Sequence, residues 1–248
     1  MNYKLKLMYE GTHYAGWQRQ PNAITVQGEL EKALSVICRE EITTFGVSRT
    51  DAGVHAENYT ANFNVSAPLN EYKILRGANA LLPEDIRVMA VSPCSDDFHA
   101  RFDAQRKTYL YRIDISPYGN VFHRNFAWHV PQKLQIDHMQ KAAQCFLGTH
   151  DFYGFMAQGG SSKTFDRTIY ESEFTLENQL LTYRICGNGF LYNMVRIITG
   201  TLVAVGKGKI SPDDIPDIIA SKDRTKAGMT APARGLTLLC AQYPNESY

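Results

Sequence analysis

The chain has 248 residues, with 26 Lys and Arg against 25 Asp and Glu and a formal net charge of +1. That balance excludes a protein that holds a polyanion or a membrane surface by bulk charge, since such binding rests on a large excess of one sign. A hydrophobic content of 44% and a charged content of 21% belong to a folded chain, long enough for one large domain or two halves with ample core.

In chain order, residues 3–10 alternate Tyr3, Leu5, Leu7 and Tyr9 against Lys4 and Lys6, the period of a half-buried strand. Residues 26–39 repeat Val26, Leu30, Leu34 and Ile37 behind Thr25, which predicts a helix with a threonine cap. Residues 58–65 set Tyr59, Ala61, Phe63 and Val65 against Asn58, Thr60, Asn62 and Asn64, and residues 107–115 alternate through Tyr109, Tyr111, Ile113 and Ile115; both read as strands. An amphipathic helix is predicted from Ile136 to about Gly148, then a hairpin of 169–176 and 181–186 around Asn178-Gln179. Residues 189–205 read as a helix and 236–243 as a last strand. One-faced strands mixed with a few helices predict an α+β fold whose largely antiparallel sheet is covered on one side. The polar turn at 93–97 and the loop at 99–106 are the candidate junctions between two halves.

Cys38, Cys94, Cys145, Cys186 and Cys240 are scattered and odd in number, so no disulfide framework is expected. The first residues lack the apolar core of a signal peptide, and residues 190–205 carry Asn193 and Arg196 and are too few to span a bilayer. The expectation is a soluble, cytoplasmic chain without a membrane anchor. No GxGxxG follows a strand, Gly206-Lys207-Gly208-Lys209 lacks the spacing of a P-loop, and no GxSxG occurs. The seven histidines form neither HExxH nor a ligand set with cysteine. Neither a metal nor a cofactor is expected, and the chemistry falls to side chains.

The most unusual segment is Phe45-Gly-Val-Ser-Arg-Thr-Asp-Ala-Gly-Val-His-Ala56, a polar loop between two strand-like runs. Asp51 follows Arg49 by two residues, so a cation is at hand to keep it ionised; equally, it caps the backbone of its own turn. Arg49-Thr-Asp-Ala-Gly-Val-His-Ala56 resembles the active-site signature of the TruA-type tRNA pseudouridine synthases. Four more segments resemble that family in order: residues 9–21 (YEGTHYAGWQRQP) with 25–28, 106–111 (RKTYLY), 189–196 (GFLYNMVR) and 230–236 (TAPARGL). Ser48 stands where the family usually has Gly, and Glu10 where it has Asp.

The resemblance implies the pseudouridine synthase fold: two similar α/β halves, 1–105 and 106–248, sharing a mostly antiparallel mixed sheet with the active-site cleft between them. It implies isomerisation of uridine to pseudouridine in the anticodon stem-loop of tRNA, at positions 38, 39 and 40, by a homodimer without cofactor. By the same resemblance Asp51 is the catalytic carboxylate and Arg196 its partner. Tyr109 stacks on the target base, Leu236 lies beneath that base, and Arg49 contacts the RNA backbone. The residues alone leave other readings open: Tyr109 as a core ring, Arg196 on a solvent stripe with Thr199 and Gly200, Leu236 as the start of a core strand. Residues 99–112 carry Arg101, Arg106, Lys107 and Arg112 against Asp103. These cations, with Arg19, Lys163 and Arg167, are the candidates for an RNA path.

Overall fold

The computed structural model describes residues 1–244, so the last four residues of the expected second half lie outside the described residues. The strands are β1 (Asn2–Tyr9), β2 (Thr44–Gly46), β3 (His55–Asn64), β4 (Ile86–Cys94), β5 (Arg106–Asp114), β6 (Trp128–His129), β7 (Gly148–Asp151), β8 (Asp166–Glu177), β9 (Leu180–Gly187) and β10 (Leu236–Gln242). The helices are α1 (Val26–Cys38), α2 (Glu71–Leu81), α3 (Ile136–Gln144), α4 (Met194–Gly206) and α5 (Ile215–Ser221). Two compact units result: Met1–Gln105 together with the segment from Thr237 on, and Arg106–Leu236. Within each unit the strands pair antiparallel, except for β3 with β10 and β5 with β6.

In the first unit β1 lies between β3 and β4. The other edge of β3 takes β2 near Phe63 and β10 at His55 and Ala56, and this parallel pairing is what brings the end of the chain into the first unit. Leu5, Leu7, Tyr59 and Phe63 are buried together with Leu30 and Leu34 of α1 and Ile74 and Ala78 of α2. The Thr25 hydroxyl caps α1 by accepting from the Gly28 amide at 3.2 Å, as the helix-start pattern predicts.

The opposite face of this sheet is not bare, which corrects the one-sided expectation. Thr60 and Asn62 are buried with Asn2, because the chain after β4 folds over them. Asn62 accepts from the Ala100 amide at 2.9 Å, and Asn2 donates to the Phe98 carbonyl at 2.9 Å. Buried amides survive there because each finds a partner. Two further elements of this unit were not expected from the sequence. Helix α2 buries only Ile74 and Ala78 along its length, too little apolar pattern to register. Strand β4 runs through Pro93, where a polar turn was expected; Pro93 lies opposite Tyr3 in the register with β1.

In the second unit β5, β9, β8 and β7 form the sheet in that order. The β8–β9 hairpin turns at Asn178 (φ 47°) and Gln179 (φ 68°), the pair of left-handed residues that a tight two-residue turn needs. Helix α4 begins at Met194 rather than at 189, because Asn193 takes φ 59° and breaks the helical path. It packs against α3, and all its residues except Arg196 and Ala204 are buried. The solvent stripe considered for Arg196, Thr199 and Gly200 therefore does not exist: a Cβ on Gly200 would come within 1.8 Å of the Met229 carbonyl oxygen, so the chain around Met229 covers that face.

Candidate active site

Asp51 sits in the first unit on the loop between β2 and β3, and the loop is held almost residue by residue. Its entry is fixed by the Val47 amide on the Thr60 carbonyl at 2.9 Å and by the Tyr59 hydroxyl, which donates to the Ser48 carbonyl. The Thr50 hydroxyl meets the Tyr9 hydroxyl at 2.8 Å in a buried contact, while the Thr50 carbonyl accepts from the Trp17 amide at 3.2 Å. Asp51 starts a β-turn: its carbonyl accepts from the Val54 amide at 3.1 Å, and Gly53 takes φ 79° at the third position, where type II turns need glycine. The Gly53 amide reaches the Tyr14 carbonyl at 3.3 Å. Asp51 itself is half-buried and Arg49 is exposed.

The 9–21 segment is the cradle of this loop, a role its sequence did not disclose. Gly11 and Gly16 press directly on the loop backbone. A Cβ on Gly11 would lie 2.0 Å from the Val54 carbonyl oxygen, and one on Gly16, whose φ is +91°, would lie 2.4 Å from that of Thr50. Trp17 stacks on Tyr59 with ring centroids 4.1 Å apart, and Tyr9 sits 5.5 Å from Tyr59. The result is a carboxylate displayed on a backbone with little room to move, the preorganisation that chemistry by side chains demands.

The second unit builds the places of Tyr109, Arg196 and Leu236 from one shared frame. Arg196, half-buried in the first turn of α4, donates from Nε to the Ala231 carbonyl at 2.8 Å and from Nη1 to Asn193 Oδ1 at 2.6 Å. The Ala231 amide returns a bond to the Arg196 carbonyl at 3.0 Å, locking the helix start to the 230–236 segment. Further along that segment, the Tyr111 hydroxyl donates to the Pro232 carbonyl at 2.7 Å, and a Cβ on Gly235 would strike the Tyr111 ring at 2.6 Å. Tyr109 lies two residues before Tyr111 on β5, buried, with Phe190 edge-on at 5.2 Å. Leu236 is buried at the start of β10. Burial drives the Tyr111 phenol far above its ordinary range, so it acts here as a neutral donor.

The cations expected on an RNA path divide into two kinds. The Arg19 guanidinium lies 3.5 Å from the buried carboxylate of Glu31, and Arg167 donates to the Thr164 and Asp166 carbonyls at 3.2 and 2.6 Å; both are engaged locally. Burial also lowers Arg167 from its ordinary value. Arg101 and Arg106 instead lie over the rings of Phe102 (5.6 Å) and Tyr170 (4.3 Å) and keep their charge exposed. Lys163 is exposed and Lys107 half-buried. Among the described residues no cluster of His, Cys, Asp and Glu could hold a metal ion, and no helix is long and apolar enough to cross a membrane.

Comparison with known proteins agrees with this architecture. A family profile described as tRNA pseudouridine synthase matches residues 7–103 and 142–244. The chain is 45% identical over 238 residues to tRNA pseudouridine synthase A of Thermoanaerobacter sp. (strain X514), covering 96% of this chain and 98% of that protein. It is 46% identical over 239 residues to tRNA pseudouridine synthase A 2 of Clostridium tetani (96% of each chain). With tRNA pseudouridine synthase A 1 of Bacillus cereus it shares 42% identity over 243 residues, 98% of each chain. An α+β chain with its signature aspartate on a clamped loop, matched along nearly its whole length, belongs to the tRNA pseudouridine synthase family.

Proposed function

We propose that the chain isomerises uridine to pseudouridine in the anticodon stem-loop of tRNA, at positions 38, 39 and 40, with Asp51 as the essential group. The observation that carries this reading is the loop of residues 47–54, whose backbone is clamped while it carries a half-buried carboxylate. The reaction breaks the bond from C1′ to N1 of the base and forms one from C1′ to C5. C5 loses a proton and N1 gains one. Substrate and product have the same composition and no electrons change hands, so side chains suffice and neither a metal nor a cofactor is required.

In this reading Asp51 acts in its charged form at the ribose–base linkage, by adding to the sugar, adding to the base or removing a ribose proton. Arg196 is the cation that favours that form; the anchoring of its Nε and Nη1 supports a fixed guanidinium. Tyr109 stacks on the target base and Leu236 forms its apolar floor, while Arg49, exposed beside the aspartate in sequence, takes an RNA phosphate. The first unit thus supplies the aspartate loop, and the second, Arg106–Leu236, the tyrosine, arginine and leucine. By resemblance to the family, the enzyme works in the cytoplasm as a homodimer. The test is carbodiimide mapping of an unmodified tRNA transcript incubated with the parent chain and with Asp51→Asn. The parent converts its target uridines and the variant converts none. Conversion that survives in Asp51→Asn removes Asp51 from the mechanism, and tRNA binding without conversion by the parent makes the chain a noncatalytic RNA binder.

A further inference from the structure

Phe45 lies on β2, six residues before Asp51, and is 39% exposed. Its ring is 5.0 Å from the imidazole of His99, which lies 4.2 Å from the ring of Phe102. Phe102 is 74% exposed, and the Arg101 guanidinium sits 5.6 Å from its ring centroid. Among the described residues no carboxylate pairs with Arg101. Three rings in contact, open to solvent and capped by an unneutralised cation, are the parts from which single-stranded nucleic acid is held: bases stack on aromatic faces and guanidinium adds charge.

The turn carrying His99 and Phe102 is built to stay in place. Asn62 Oδ1 accepts the Ala100 amide at 2.9 Å, the Tyr243 hydroxyl donates to the Ala100 carbonyl at 2.7 Å, and Asp103 Oδ2 accepts the His99 amide at 2.8 Å. Core packing does not explain the cluster, because its outermost ring is mostly in water. Its position follows from the chain: six residues span at most about 20 Å, so Phe45 and Asp51 are within a few nucleotides of each other along an extended strand.

We propose that Phe102, His99 and Phe45, with Arg101 at the open end, form a stacking platform for an unpaired tRNA base a few nucleotides from the reacting uridine. The inference rests on the proposed function and adds to it a second base-binding place, separate from the ring assigned to the target. The occupant is an unstacked base rather than a protein side chain, because the Arg101 cation held against the outermost ring suits a phosphate backbone.

The test uses full-length protein and an anticodon-arm RNA carrying 2-aminopurine at each loop position in turn. With the parent, one position other than the target is quenched on binding. Phe102→Leu abolishes that quench, weakens binding roughly tenfold, raises KM for tRNA more than it lowers kcat, and leaves the melting temperature unchanged. Phe102→Tyr restores the quench and the affinity. Arg101→Gln lowers the slope of log K against log salt by about one. A Phe102→Leu protein that binds and quenches like the parent overturns the platform, as does a loss of affinity that tracks a fall in sedimentation mass, which assigns the rings to subunit contact. A parent that binds tRNA without forming pseudouridine defeats the functional reading instead.

Discussion

Replacing Glu31 tests how the aspartate loop is held. Glu31 sits on α1 with its side chain 7% exposed, and its Oε1 accepts three bonds: from the Thr44 amide at 2.9 Å, the Thr44 hydroxyl at 3.2 Å and Gln27 Nε2 at 2.9 Å. Thr44 opens β2, which runs directly into the loop of residues 47–54. Glu31→Ala leaves the buried Thr44 amide without its acceptor, a loss of about 1–3 kcal/mol, with a smaller loss at the hydroxyl. The Arg19 contact adds under about 1 kcal/mol, since that side chain is 68% exposed and screened by water. The total is roughly 2–4 kcal/mol, or about 6–12 °C in melting temperature for a chain of this size.

Glu31→Gln keeps an oxygen for the Thr44 amide and is expected to cost about 1 kcal/mol. Arg19→Met should cost less than either. The assay is thermal and urea unfolding of the three variants beside the parent, with hydrogen exchange read at the Thr44 amide. That amide should exchange faster in Glu31→Ala at temperatures where the protein stays folded. An alanine variant within about 0.5 kcal/mol of the parent, with Thr44 exchange unchanged, refutes the anchoring.

Three other outcomes follow from the geometry. Gly11→Ala and Gly16→Ala both force the loop backbone away from a new methyl group, so pseudouridine formation should fall at least tenfold in each. Normal turnover by Gly16→Ala removes the cradle from the account. The hydrogen bond from Lys222 holds the Asp151 carboxyl below its ordinary range, and the same bond raises the ammonium. A depressed carboxyl gives stability above its unfolded value that is lost as pH falls through the folded one, and a raised ammonium gives stability that is lost at high pH. Lys222→Met should therefore melt below the parent from about pH 5 to 9 and converge with it near pH 2; a gap that persists in acid contradicts the pairing. Burial pushes the Cys94 thiol up to about 11, so iodoacetamide should leave it unlabelled at pH 7 by peptide mass analysis, and rapid labelling there refutes that burial.

How much of this molecule can be read in its sequence depends on whether a feature is local. Strand β1 and helix α1 are legible because the alternation of Tyr3, Leu5 and Leu7 and the Thr25 cap act within a few residues. The β8–β9 turn is legible for the same reason, at Asn178-Gln179. The start of α4 is not, because Phe190 and Leu191 continue an apolar pattern while Asn193 turns the backbone left-handed. Thr60 and Asn62 read as solvent-facing because polarity alone does not show that the Phe98–Ala100 segment returns to bond Asn62. Asp51 is visible through its motif. What holds it comes from partners far along the chain: Gly11 against Val54, Tyr9 against Thr50, Glu31 against Thr44. No window of sequence contains both members of such a pair.

The near-neutral charge of the chain can be understood in the same terms. A sum of +1 hides which cations are spent inside the protein and which are left to act outward. Arg19 is drawn to Glu31, Arg224 to the Gly228 carbonyl at 2.9 Å and Arg196 to Ala231 and Asn193, so these hold the fold or the site rather than add to a surface field. Arg101 and Arg106 rest on aromatic rings, which attract a cation without cancelling its charge. In the proposed reading such a protein needs no excess of lysine to hold RNA: a few arginines on rings would provide phosphate contacts, and the rings beside them stacking that salt does not screen. Selectivity then rests on where unpaired bases fall along the strand. That would suit the proposed substrate, one loop within a molecule that is phosphate throughout.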